Sequence, residues 1–154
     1  MPSQHATITD PNVHEPKGAV AAAINTVYVS DGAGSGHWRK PPYTMTYAIQ
    51  DAHAAGPDSY WLIIPYACTL TKAYVVVNDA FSMDQTISFS IATIPITNGS
   101  ISLVAAGSGA GSIFFCTPTA LNTISAGTAL EIINTGGSAS AFIASLTLTF
   151  VPTA

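Results

Sequence analysis

The sequence predicts an all-β protein: a jelly-roll-like antiparallel β-sandwich of about eight strands, preceded by an extended N-terminal arm and a small hairpin. Three observations lead there. The stretch from Ala73 to Ala154 contains no lysine or arginine, and its acids are Asp79, Asp84 and Glu131. It is built from Val, Ile, Phe, Ser, Thr, Gly and Ala, which alternate as strand residues do. No stretch of about ten residues reads as a convincing helix, which argues against βαβ units and a parallel sheet. An immunoglobulin-like sandwich is the alternative architecture.

Taken in order, residues 1–24 read as an arm. Pro2, Pro11 and Pro16 forbid a continuous helix, and each holds the residue before it in an extended or turn conformation. Ala19 to Ala23 suits a helical turn too short to stand alone. Asn25 to Ser30 is a short strand, Asp31 to Gly36 a glycine-rich turn, and His37-Trp38-Arg39 the return strand, so this segment predicts a hairpin. Pro41-Pro42 marks the boundary between an N-terminal region, 1–42, and a β-domain, 43–154. Eight strands are expected in the latter: Tyr43 to Ile49, Tyr60 to Ile64, Leu70 to Asn78, Thr86 to Ala92, Ile101 to Val104, Ser112 to Cys116, Ala129 to Asn134 and Ala141 to Val151. Alternation is plainest in the last, where Phe142, Ala144, Leu146, Leu148 and Phe150 share one face. Thr97 to Ser100, Gly107 to Gly111, Ser125 to Gly127 and Gly136 to Ser138 have the chemistry of turns. Asp51 to Pro57 has brief helical character.

Composition narrows the function classes. Charged residues make up 8% of the chain, against about 25% in an ordinary soluble domain. So sparse a supply leaves much of the surface neutral or apolar, and oligomerisation is the simplest way to remove it from water. Net charge is −4 and the basic residues are scattered, so no stripe for nucleic acid exists. Apolar runs such as Trp61 to Ile64 and Tyr74 to Val77 are strand-length, far below the roughly 20 residues of a spanning helix. No basic region followed by an apolar one marks a secretory signal. Cys68 and Cys116 are expected to be buried free thiols.

No catalytic set emerges. Gly32-Ala33-Gly34-Ser35-Gly36 resembles a phosphate loop but opens no helix and lacks the lysine that such loops carry. His5, His14, His37 and His53 form no metal-ligand spacing, so neither a metal nor a cofactor is expected. Serines lie in turns rather than in a strand-to-helix elbow, and no histidine follows Pro57. Asp79 and Asp84 flank one loop and are expected to be turn residues rather than a glycosidase pair. The chain is therefore read as a non-enzyme. Tyr60, Trp61, Tyr66 and Tyr74 are the aromatic residues best placed to stack on a sugar; the competing role for them is packing and subunit contact.

The run Asp10-Pro11-Asn12-Val13-His14-Glu15-Pro16-Lys17-Gly18, then Asn25 to Gly36 and Trp38, resembles the N-terminal region of head-fibre and capsid decoration (cement) proteins of tailed bacteriophages. The stretches Ile64 to Val76 and Asn122 to Ile132, with the closing Thr-rich strand, are similar to the β-domain of such proteins. Together these cover most of the chain. The resemblance implies a homotrimeric knob on the outer surface of the virion, held to the major capsid protein by its N-terminal arm. The residues expected to dock are Asp10, Pro11, His14, Glu15, Pro16, Lys17, Gly18, Tyr28, Trp38 and Arg39. The alternative is a tail-fibre or spike module whose partner is a host-surface glycan.

Overall fold

In a computed structural model, the structure describes residues 26–30, 36–49, 58–135 and 143–153. Every regular element among them is a β-strand. The chain divides into two compact units, one carrying the first two strands and the other running from Pro42 to Thr153. The proposed arm, the helical turn at Ala19 to Ala23, the Asp31 to Ser35 part of the glycine turn and the Asp51 to Pro57 segment lie outside the described residues.

In the first unit β1 (Val27–Ser30) pairs antiparallel with β2 (Gly36–Arg39) in the register Val27↔Arg39 to Ser30↔Gly36. Tyr28 and Trp38 sit opposite each other and their rings meet edge to face, with centroids 5.5 Å apart. A side chain at Gly36 would collide with the Tyr28 ring and the Val29 carbonyl, so the ring's position requires glycine there.

The second unit contains β3 (Tyr43–Ile49), β4 (Asp58–Ile63), β5 (Cys68–Val77), β6 (Gln85–Ile91), β7 (Ile94–Leu103), β8 (Ile113–Cys116), β9 (Thr123–Ile124), β10 (Ala129–Thr135) and β11 (Ala144–Pro152). They form two antiparallel sheets in a sandwich-like arrangement. One has the order β3-β11-β5-β8, with β9 also paired to β5; the other has the order β4-β10-β6-β7. The pairings are nested: β6 with β7, β5 with β8, β4 with β10 and β3 with β11. The second unit is thus a long antiparallel ribbon whose successive strand pairs alternate between the sheets, β3–β11 and β5–β8 falling in one and β4–β10 and β6–β7 in the other.

Alternation explains which face each strand buries. Ala144, Leu146, Leu148 and Phe150 on β11 face inward, as do Ala73, Val75 and Val77 on β5 and Ile87 and Phe89 on β6. Full burial of each large side chain contributes roughly 1.5–3 kcal/mol. On β5 the phase changes between Leu70 and Ala73. Thr71 is the extra residue of a bulge there, since Thr149 pairs with Lys72 but Phe150 with Leu70, and its Oγ1 donates to the Thr149 carbonyl at 3.1 Å. The bulge lets both ends of β5 present apolar residues to the core.

Each of the eight expected strands has a counterpart, although Ala141, Phe142 and the expected turn at Gly136 to Ser138 lie outside the described residues; one of the other expected turns is not found. Thr97 to Ser100 lies within β7, and the reversal between β6 and β7 is at Ala92 and Thr93, with φ of 49° and 68°. Phe89 alone on β6 faces the stretch Ile96 to Gly99, which bulges outward because Thr97 exchanges backbone hydrogen bonds with the Thr119–Ala120 segment (3.0 Å each). Asn98 takes a φ of 54° and its side chain donates to Thr119 Oγ1 at 3.0 Å. Asn98-Gly99 therefore has turn conformation inside a strand rather than between strands. β9 is the other unexpected element; Leu70 and Asn122 hold it to β5 through the Leu70 N–H to the Asn122 carbonyl (2.9 Å) and Asn122 Nδ2 to the Leu70 carbonyl (2.8 Å).

Candidate functional site

Each sheet of the sandwich has an outer face, and both are almost free of charge. On the four-stranded sheet, alternation sends Ser59, Trp61 and Ile63 of β4 outward, with Glu131 and Ile133 of β10 and Ser88 and Ser90 of β6. The ladder aligns Trp61, Glu131, Ser90 and Pro95 in one row. Ser90 Oγ donates to Glu131 Oε2 at 2.6 Å, and Ser59 Oγ donates to Oε1 at 3.2 Å. The shorter bond lies in the range of a hydroxyl bound to an ionised carboxylate. Ser90 is only 3% exposed, so a buried hydroxyl anchors the carboxylate from within the sheet, while Trp61 beside it is 58% exposed. Among the described residues Glu131 is the only acid on this face. The two-carboxylate arrangement of glycoside hydrolysis is not assembled there.

The outer face of the five-stranded sheet has a different chemistry. Thr46 and Thr147 hydrogen-bond to each other across strands at 3.1 Å. Lys72 Nζ lies over the rings of Tyr74 and Phe115, 5.0 and 5.3 Å from their centroids. The two rings are 6.1 Å apart. Phe115 and Ile113, on the edge strand β8, are 60% and 63% exposed. With Val76 beside Ile113 in the ladder, this end of the face is an apolar patch carrying one cation.

Between the edge strands β3 and β4 a cleft of about 390 Å³ opens into the sandwich, lined by Tyr47, Ile49, Tyr60, Leu62, Ile132 and Leu146 and reached by Ser59 and Trp61. Its volume is within the usual range for a small ligand, but its walls are nearly all apolar. Elsewhere in the interior, both amide atoms of Gln85 and Oδ1 of Asn134 are buried without a hydrogen-bond partner.

Of the residues expected to dock, Tyr28 and Trp38 are brought together on one face of the hairpin, whereas Arg39 pairs with Val27 and so falls on the other face. Asp10, Pro11, His14, Glu15, Pro16, Lys17 and Gly18 lie outside the described residues. Among the candidate sugar-stacking aromatics, Trp61 and Tyr66 are exposed, Tyr60 packs against the core, and Tyr74 lies beneath Lys72. Asp79 accepts from the Ala80 N–H at 2.7 Å and Asp84 from the Ala105 N–H at 2.8 Å, so both act as loop residues. Cys68 and Cys116 are buried and free. Burial pushes the Cys116 thiol up to about 11; it also raises Cys68, where a hydrogen bond from the Tyr43 hydroxyl (3.4 Å) acts in the opposite direction. No group of three or more His, Cys, Asp or Glu side chains gathers to hold a metal among the described residues. No described helix is long and apolar enough to cross a membrane.

Sequence reasoning missed Glu131, Ser90, Ile113 and Phe115. A signal for two of them exists: in the run Ile113-Phe114-Phe115-Cys116, alternation must turn one apolar pair outward, and it is Phe114 and Cys116 that face the core. Comparison with known proteins finds no family model that matches this chain and no curated protein that matches it.

Proposed function

We propose that this chain is a virion structural protein that decorates and stabilises a bacteriophage capsid as a homotrimer, attached to the major capsid protein through its N-terminal region. The observation that carries the reading is the outer face of the five-stranded sheet. Tyr74, Val76, Ile113 and Phe115 there, with Lys72 over two of the rings and threonines beyond them, form a largely apolar surface suited to burial against another copy. Attachment is supported by the similarity of Asp10 to Gly18 and of the hairpin region to phage decoration proteins. It is also supported by the division of the chain into a hairpin-bearing unit and a sandwich unit. The sandwich is read as a jelly roll, and its nested pairings and the two sheet orders favour this over an immunoglobulin-like arrangement.

Cementing is mechanical: area buried between neighbouring coat subunits raises the cost of shell rupture, and many weak contacts over a shell add up. The test is co-sedimentation of the purified protein with undecorated shells. Binding is expected, and the double substitution Glu15→Ala/Lys17→Ala is expected to weaken it at least tenfold, about 1.4 kcal/mol. Electron microscopy of the source particle checks location: protein found on the tail instead of the capsid refutes the reading.

A further inference from the structure

We propose that the outer face of the four-stranded sheet carries a binding site for a neutral pyranose sugar, built on Trp61 and Glu131. The inference is independent of capsid attachment and of the face assigned to self-association, because it uses the opposite sheet.

Trp61 and Glu131 are directly opposed on neighbouring antiparallel strands, which places their Cβ atoms about 4.5–5.5 Å apart. That is the spacing at which a ring stacked on the indole carries its hydroxyls over the carboxylate. An exposed indole offers a broad apolar face with negative π-density, which matches the C–H face of a pyranose. Glu131 supplies the polar half of the site. Each of its oxygens already accepts one serine hydroxyl, at 2.6 Å from Ser90 and 3.2 Å from Ser59. A carboxylate has about four acceptor positions, so capacity remains on both oxygens for ligand O–H donors. The buried Ser90 hydroxyl fixes the carboxylate before any ligand arrives, and Ser59 lies exposed at the rim. Such preorganisation lowers the ordering cost of binding.

The same features define the ligand class. The site is dominated by acceptors and bears one negative charge, so it selects a donor-rich ligand and repels uronic acids, sialic acids and phosphates. A quaternary ammonium group is best held by an aromatic cage, and among the described residues Trp61 is the one ring on this face of the sheet. The absence of a second acid on the face, among the described residues, makes this a binding site rather than a hydrolytic one. Affinity per site is expected near the millimolar range and becomes useful through several copies presented together.

The full-length protein carrying Trp38→Phe, so that Trp61 is the sole indole, is titrated with the methyl glycosides of glucose, galactose, mannose and N-acetylglucosamine, with fluorescence as the readout. Saturable binding of at least one is expected. Trp61→Ala, followed by calorimetry in the natural background, and Glu131→Gln are each expected to weaken it about tenfold or more, with thermal unfolding and oligomeric state unchanged. Trp61→Phe retains part of the affinity. Four results overturn the proposal. One is no binding of any of these glycosides up to tens of millimolar. Another is glycoside binding that survives both Trp61→Ala and Glu131→Gln, and the third is preferential binding of choline or sialic acid. Loss of self-association in Trp61→Ala also overturns it, because the face is then covered by another copy.

Discussion

The assembly face yields the sharpest quantitative test, through the double substitution Ile113→Ser/Phe115→Ser. Both side chains point away from the core, and the inward neighbour Phe114, which meets Phe81 at 6.2 Å, is left intact. Complete burial of a large apolar side chain is worth roughly 1.5–3 kcal/mol. Ile113 and Phe115 still have 63% and 60% of their surface in water, so most of that value is realised only on association. The expected contribution is about 1–2 kcal/mol per residue, or about 2–4 kcal/mol per protomer for the pair. Summed over three protomers and divided between the two association steps of a trimer, that is about 3–6 kcal/mol per step, a factor of roughly 100 to 10,000 in the concentration needed for assembly. Within one chain the loss is smaller and includes the contacts of Phe115 with Tyr74 and Lys72 and the cross-strand pairing of Ile113 with Val76. Sedimentation equilibrium and light scattering over a concentration series measure the effect. The natural protein is expected to remain trimeric at high salt, because screening acts on charges and this face is nearly neutral. A double variant that assembles at the natural concentration, or a natural protein monomeric at micromolar concentration, refutes the reasoning.

Two further outcomes concern the fold. Thr93 is β-branched and held at a φ of 68°, a strained backbone for a residue of that shape, so Thr93→Gly is expected to stabilise the protein by about 1 kcal/mol. A fall in the thermal midpoint shows that the turn is not strained. Burial raises Cys116 to about 11 and shifts Cys68 in the same direction, so the fold disfavours both thiolates. The Cys116 contribution to stability is intact below the ordinary thiol value of 9.0 and is lost as pH rises through about 11, and Cys68 acts in the same direction. Guanidinium unfolding across this window is expected to show declining stability, less steeply in Cys116→Ala, and thiol reagents at pH near 8 are expected to label the native protein slowly. A pH-independent stability or rapid labelling contradicts this account.

Where the sequence was legible, a local rule sufficed. The closing strand declares itself because Ala144, Leu146, Leu148 and Phe150 recur at period two, and the structure buries all four. The β6–β7 turn was illegible because Ala92 and Thr93 occupy left-handed backbone without the glycine or asparagine that such turns favour. Asn98-Gly99 carried that chemistry instead, and here it serves a bulge drawn out by pairing with Thr119 and Ala120. β7 is an edge strand, and there Pro95 is tolerated near its start. The site at Trp61 and Glu131 was hidden for a different reason. Its members meet only through the register of β4, β10 and β6, and that register is set by long-range pairing rather than by any local pattern. Tyr28 and Trp38 were expected together with Arg39; the hairpin register unites the first two and turns the third to the opposite face.

The two outer faces differ most in how each treats the one charge it carries among the described residues, and that difference argues for separate roles. Lys72 lies over two aromatic rings, so part of its hydration is already replaced by π-density. Cation–π contacts strengthen as water is removed, from about 0.5–1 kcal/mol at exposed sites to about 2 kcal/mol when desolvated. Covering this face with another copy therefore carries a reduced penalty for the cation and gains the apolar area of Ile113 and Phe115. Glu131 is held by hydroxyls instead, and drying it against a protein surface without a cation would cost several kcal/mol. A ligand bringing its own hydroxyl donors avoids that cost, because it replaces water at the carboxylate bond for bond. A chain with so few charges thus presents one face that tolerates dry burial and another that stays suited to a wet, hydroxyl-rich ligand.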